Sequence, residues 1–430
     1  MFYLAYNICS LFLLLPVIGY HLYRSVSRGR APAFAERFGC LPLTARAALT
    51  GRPVLWLHAV SVGEAIAARP LLKGLREDYP DHALLVSTTT ETGRGVVVRD
   101  GLADAVIYFP FDFLPAVALA FSRIHPRLVV IMETEIWPNF NLVASRRGVP
   151  LILANGRISD RSFIRYRQFR WFFHHPLAMF SGLCMQTEID RERLLAIGAP
   201  PERTVTCGNL KYDIPYHRPT DGERRTLRRR FALPEGALIV TAASTHSGEE
   251  ELFLGAWREV AAGRDDLRLV LVPRHPERAA EVAAVSARSG ISCRRRSSLQ
   301  EAAAPIGPNQ LLLVDTVGEL MQIYALSDLV FVGGSLVPTG GHNLLEPASL
   351  GLPSLFGPCM TNFREIAALT LQYGAGVQVA DQKELTAALR DFLASAELRQ
   401  VIGQNGLTLL SAAGGATERH LRVVAQVLHR

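Results

Sequence analysis

The chain opens with an apolar run, Phe2 to Tyr20, that contains no charged side chain. As a helix rising 1.5 Å per residue, the run is about 28 Å long, enough to span bilayer hydrocarbon. Tyr3, Tyr6, Tyr20 and Tyr23 stand where an aromatic belt sits, and Arg24, Arg28 and Arg30 follow with no basic side chain before the run. A cleaved secretory signal has the opposite order of charge, so the arginines predict an uncleaved N-terminal anchor with the rest of the chain on the cytoplasmic side. Pro16 leaves open whether the helix spans the bilayer or lies in its interface. A buried first helix of a soluble fold is the alternative.

From Pro53 onward short apolar runs alternate with amphipathic segments such as Ala65 to Tyr79. Val54–His58, Ala83–Ser87, Leu128–Met132 and Leu151–Ala154 read as buried parallel strands. A polar, proline-bearing stretch, Ile214 to Pro219, interrupts the series. It restarts with Leu238–Thr241, Leu269–Val272, Leu311–Val314, Leu329–Val332 and Ser354–Phe356. Two such series predict an α/β chain of two doubly wound, Rossmann-like domains facing a cleft. The expected divisions are 1–30 for the anchor and its basic flank, 31–213 for the first domain, 214–222 for a linker and 223–412 for the second domain. Residues 413–430 form a last helix that can cross back to the first domain.

Composition narrows the class. The 430 residues are 49% hydrophobic and 20% charged, which excludes disorder. Six cysteines without a C-x-x-C pair look unlike a disulfide framework or a zinc site. The net charge of +7 comes without any helix-turn-helix, zinc-finger or RNP pattern, so nucleic acid is not an expected partner. Arg157 to His175 interleaves arginines with Phe163, Tyr166, Phe169, Trp171, Phe172 and Phe173, which suits an anionic lipid surface or, equally, an amphipathic helix packed on the core. The arginines at 224–230 and 294–296 read as solvated faces. No G-x-G-x-x-G follows a strand, and P-loop, H-E-x-x-H, G-x-S-x-G and D-x-D patterns are absent.

In doubly wound sheets ligands bind beyond the carboxyl ends of the strands. The first strand runs into His58-Ala59-Val60-Ser61-Val62-Gly63-Glu64, where Glu64 either complements a helix dipole or acts as a general base. Met132-Glu133-Thr134-Glu135-Ile136-Trp137-Pro138-Asn139 ends another strand. On extended chain Glu133 and Glu135 would share a face, as a ligand site or as members of salt bridges. Lys211 ends the first half, where it meets an anionic substrate or only solvent. In the second half Arg274 follows a strand. Gly333-Gly334-Ser335-Leu336 and then Gly340-Gly341-His342-Asn343-Leu344-Leu345-Glu346-Pro347 offer glycine-rich backbone to a phosphate, with Glu346 placed for ribose hydroxyls.

Taken together these motifs resemble the Kdo transferases, the 3-deoxy-D-manno-oct-2-ulosonic acid transferases of the lipopolysaccharide inner core. The resemblance runs nearly end to end: H-A-V-S-V-G-E, M-E-T-E-I-W-P-N, N-G-R-I-S, G-N-L-K-Y-D, V-P-R-H-P-E-R, V-G-E-L and G-G-H-N-L-L-E-P occur in one order. It implies a GT-B fold at the cell inner membrane, with CMP-Kdo as donor, a lipid A precursor as acceptor and no metal or other cofactor. The first domain would bind the acceptor and the second CMP-Kdo. The family's proton acceptor falls on Glu64, and its transition-state stabilisers fall on Glu133 and Lys211. Its CMP contacts fall on Pro273 and Arg274, on Val317, Gly318 and Glu319, and on Asn343, Leu344, Leu345 and Glu346. The competing expectations are a GT-B enzyme using a UDP-sugar and a non-catalytic lipid- or nucleotide-binding protein.

Overall fold

The computed structural model describes residues 2–27, 33–300 and 303–429; the side chains of Phe2 and residues 24–26 lie outside that description. Arg28 and Arg30, two of the three arginines of the expected basic flank, and the Arg24 side chain therefore lie outside the described residues. The chain divides into two compact units, Met1–Ile214 with Ala413–Arg430, and Pro215–Ala412.

The first unit is built on a seven-stranded sheet: β1 (Val54–His58), β2 (Ala83–Thr88), β3 (Ala105–Tyr108), β4 (Pro126–Met132), β5 (Leu151–Gly156), β6 (Gly182–Met185) and β7 (Thr204–Thr206). The order is β3-β2-β1-β4-β5-β6-β7, and every pairing is parallel. β1, β2 and β5 are buried at every position, as parallel strands covered by helices on both faces must be. Trp56, Phe109, Phe121 and Phe140 cluster on one face, and Leu57, Leu71, Val86 and Val130 pack on the other. The helix read over Ala65 to Tyr79 is two helices, Val62–Ala67 and Arg69–Asp78, because Pro70 can open a helix but cannot continue one. The C-terminal helix, Ala416–Leu428, packs on Arg69–Asp78 and on β6, burying Val424.

The second unit repeats the architecture: β8 (Leu238–Thr245), β9 (Leu267–Pro273), β10 (Ser292–Arg295), β11 (Gln310–Leu313), β12 (Leu329–Val332), β13 (Ser354–Phe356) and β14 (Gly376–Gln378). The order is β10-β11-β9-β8-β12-β13-β14, again all parallel. In each sheet the chain starts in the middle, fills one side and then crosses to the other; in the second sheet β10 takes the edge and β11 returns inside it. The change of side thus falls between β1 and β4 and between β8 and β12. Those two crevices are where the fold places a ligand.

The arginine runs are not simply solvated. Arg230 and Arg296 both pair with Glu319, Arg228 donates to the Pro234 and Ala237 carbonyls, and Arg224 donates to Leu326 O. Loop carbonyls and a buried carboxylate, invisible in a charge count, recruit them.

Candidate active site

The crevice between β1 and β4 gathers the acidic groups. Ser61 caps the helix Val62–Ala67, accepting from the Glu64 N–H, and donates its own hydroxyl to Glu64 Oε1 at 2.9 Å. Val60 N–H donates to Glu64 Oε2 at 2.8 Å. The carboxylate thus closes a cap, as the dipole reading requires, yet it is only 7% exposed. Burial pushes its carboxyl up to about 7, and the neighbouring charges of Glu133 and Glu135 add to the rise against those two hydrogen bonds. The result is a carboxylate that accepts a proton near neutral pH, the property a general base needs.

β4 does not continue extended past Met132. Glu133 turns into the left-handed region at φ 54°, a conformation that strains any residue with a Cβ, and its N–H is held by Ala154 O at 2.8 Å. The same-face argument for Glu133 and Glu135 therefore fails, because it assumed extended chain. The turn nevertheless keeps both charges within electrostatic range of Glu64. Burial, with Glu133 beside it, raises Glu135 as well. Lys211 Nζ lies 3.9 Å from Glu133 Oε1, so Glu64, Glu133 and Lys211 share one neighbourhood in the first unit.

Two asparagines that the sequence marks only as members of longer motifs, with no role of their own, hold Lys211 there. Asn155, buried at the end of β5 with φ 57°, accepts the Leu210 N–H at 2.9 Å through its side chain. Asn209 accepts the Lys211 N–H at 3.0 Å. Beyond those motifs, the signal for Asn155 was an asparagine next to glycine at a strand end, the residue type that tolerates positive φ. His58, which opens the Glu64 motif, is structural: it is fully buried, stacks on Phe109 at 3.7 Å and is held neutral by desolvation. Cys184, Cys207 and His420 also come together, with ligand atoms within 4.8 Å, although their spacing gave no hint of it. Both His420 nitrogens are engaged, with Ala416 O at 2.7 Å and the Asn155 N–H at 3.0 Å, so the ring ties a helix to a strand.

In the second unit the crevice between β8 and β12 is lined by polar groups from several loops. Arg274 is exposed just past β9, while Pro273, the last residue of that strand, is buried. The Arg274 charge acts on both His342 and Glu346, opposing the rise that burial imposes on Glu346. Asn343 accepts the Leu345 N–H at 3.1 Å and reaches Glu346 Oε1 at 3.4 Å. His246 and His342, absent from the expected contacts, stack with Nε2 atoms 2.9 Å apart, an arrangement that needs one ring to donate and the other to accept. Burial, with Arg274 nearby, lowers His342 to about 4.

Some expected roles change here. The Gly334, Ser335 and Leu336 N–H groups, read as a phosphate cradle, all donate to the fully buried Glu249 carboxylate, at 2.6, 2.9 and 2.8 Å. A side chain already occupies that nest. Leu344 and Leu345 are fully buried, backbone included. Glu319 accepts from Arg230, Arg296 and Thr316. Burial would raise its carboxyl, but these partners hold it below the usual range. Val317 is 84% exposed beside Gly318, whose φ of 88° turns the loop outward.

Comparison with known proteins settles the family. Residues 32–214 match the domain described as 3-deoxy-D-manno-octulosonic-acid transferase (kdotransferase). The 3-deoxy-D-manno-octulosonic acid transferase of Haemophilus influenzae is 35% identical over 381 residues, covering 87% of each chain. That of Bordetella pertussis is 34% identical over 426 residues, covering 95% of each. The chain belongs to the Kdo transferase family. The UDP-GlcNAc 2-epimerase of Neisseria meningitidis aligns with 87% of this transferase and 100% of its own chain, at a TM-score of 0.58 and 14% identity, a likeness of fold alone. Two parallel seven-stranded sheets and this likeness give the transferase a GT-B fold.

The N-terminal helix, Phe2–Ser27, is long and apolar enough to cross a membrane. It lies against the first unit. Tyr6 donates to Asp112 Oδ2 at 2.7 Å, and Asn7 donates to Asn139 Oδ1 at 3.0 Å. Tyr3 points its hydroxyl to Met179, so Tyr3 and Tyr6 face the protein and not an aromatic belt, whereas Tyr20 and Tyr23 are exposed. Arg157 to His175 divides by face. Phe163, Tyr166 and Phe173 pack on the core, and Ile164, Phe169 and Trp171 are exposed among arginines.

Proposed function

We propose that this transferase moves Kdo from CMP-Kdo to a lipid A precursor, by direct displacement with inversion at the anomeric carbon. The observation that carries the mechanism is Glu64, a buried carboxylate at the β1–β4 crevice that binds its proton near pH 7, with the Glu133–Lys211 pair beside it. Glu64 takes the proton of the attacking sugar hydroxyl; Glu133 and Lys211 stabilise the oxocarbenium-like transition state. The first unit takes the acceptor and the second unit holds the donor. There Arg274 meets phosphate, the Val317–Glu319 loop and Pro273 offer backbone to the nucleotide, and Asn343 and Glu346 receive hydroxyls. CMP departs as a monophosphate, so Lys211 and Arg274 balance the developing charge without a metal.

The proposal places the enzyme at the inner membrane with both units on the cytoplasmic side. A helix hydrogen-bonded to Asp112 and Asn139 carries those polar groups to its own depth, which favours the interface over the hydrocarbon centre. Exposed Phe169, Trp171 and their arginines add a second contact for anionic lipid. The test is transfer from CMP-Kdo against UDP-sugars, with and without chelator. Kdo transfer that survives chelation supports the proposal. Transfer from a UDP-sugar alone replaces the donor, and nucleotide or lipid binding without transfer makes the chain a binding protein.

A further inference from the structure

Between the N-terminal helix and the body of the first unit lies a cavity of about 360 Å³, within the range of roughly 300–1,000 Å³ seen for small-ligand sites. Leu13, Leu14 and Val17 form its helix wall, and Phe111, Phe113 and Trp137 form the facing one. Three observations say what fills it. First, one wall is the segment able to enter a membrane, whose outward residues Leu11, Phe12 and Leu15 are 55–76% exposed, so the cavity is continuous with the surface that meets lipid. Second, the lining of the cavity is mostly apolar, as a hydrocarbon chain requires. Third, the cavity adjoins the base. Thr89 in its wall donates its N–H to Val60 O at 3.3 Å, and Val60 N–H is bonded to the Glu64 carboxylate. Trp137 closes the segment that carries Glu133 and Glu135.

We propose that this cavity holds one fatty-acyl chain of the lipid acceptor. The inference rests on the Kdo-transfer reading and deepens it. Acyl docking beside Glu64 registers the sugar hydroxyl on the base and selects acylated over bare acceptors. A bulk phospholipid chain is the competing occupant.

The experiment compares kcat/KM for a tetraacylated glucosamine disaccharide and for its fully deacylated form, using the full-length chain in detergent. Leu14→Trp fills the cavity from the helix. Each methylene lost from apolar contact weakens binding by about fourfold, so blocking two or more lowers the acylated-to-deacylated ratio about tenfold or beyond. A ratio that does not move in Leu14→Trp overturns the inference and leaves the Kdo-transfer reading standing. No transfer by the unaltered chain to either acceptor overturns both. An acceptor carrying a diazirine at an acyl terminus gives a readout independent of turnover. Labelling of the 6–21 or 109–113 peptides, competed by unlabelled acceptor and not by phospholipid, supports the inference. Labelling elsewhere, or equal competition by phospholipid, overturns it.

Discussion

Glu64 shows how one residue serves two purposes without conflict. Its hydrogen bonds close the cap of the helix Val62–Ala67, and its burial raises its proton affinity. Two predictions follow from that pairing. Glu64→Gln keeps an oxygen for the Val60 N–H, so the fold survives while transfer falls by about 10²–10⁴, the usual contribution of a general base; activity within tenfold of the unaltered chain contradicts the role. The base works only when deprotonated, so kcat/KM for transfer rises with pH through a midpoint of about 7, the value to which Glu64 is raised. A midpoint near that of an ordinary carboxylate would mean that the dipole outweighs burial. The location of Glu64 at a strand end was legible in the sequence. Its raised proton affinity was not, because that comes first from burial and then from Glu133 and Glu135, which the β1–β4 pairing brings near. The positive φ of Glu133 was illegible too, since glutamate is not a residue type that announces a left-handed turn.

At the scale of elements, the central strands were legible because continuous apolar runs such as Val54–His58 and Leu329–Val332 have to be buried on both faces. The missed strands are mostly short and near the sheet edges. Thr204–Thr206 and Ser292–Arg295 expose most of their side chains, so no hydrophobic pattern marks them. Gly182–Met185 is fully buried, but its composition lacks the β-branched residues that signal a strand. The glycine-rich turn after β12 was read correctly as donor-rich and wrongly as vacant, because nothing local reveals that Glu249, far away in sequence, reaches it. Glu249 accepts from Gly334, Ser335, Leu336 and His246 N–H groups. Glu249→Ala leaves these donors buried and unpaired, at about 1–3 kcal/mol for each one not rescued by water. The second unit should therefore lose at least about 3 kcal/mol in urea unfolding; a loss under about 1 kcal/mol would show that the carboxylate is not what holds the turn.

Across the whole molecule, the end of the chain supports the site near its beginning. In the helix Ala416–Leu428, His420 accepts the Asn155 N–H, and Asp213 accepts from the Gly415 and Thr417 N–H groups at 2.8 and 2.5 Å. Asn155 in turn fixes Leu210, next to Lys211. The helix and its possible return to the first domain were legible, but the residues it meets there were not, because a return contact leaves no local trace. Removing residues 413–430 uncovers the surface under Val424 and Val427 and frees these bonds. The first unit should then lose about 4 kcal/mol or more, at roughly 1.5–3 kcal/mol for each large apolar side chain, and transfer should fall with it. Unchanged unfolding and activity would show that the helix is dispensable. The account as a whole is tested most directly by mass spectrometry of a tetraacylated, bisphosphorylated lipid A precursor incubated with CMP-Kdo and chelator, using the intact chain and Glu64→Gln side by side. It predicts a mass gain of one or more Kdo units with CMP released by the intact chain, and almost none with the variant. No gain with an intact chain that still binds CMP, or equal gain by both, would contradict it.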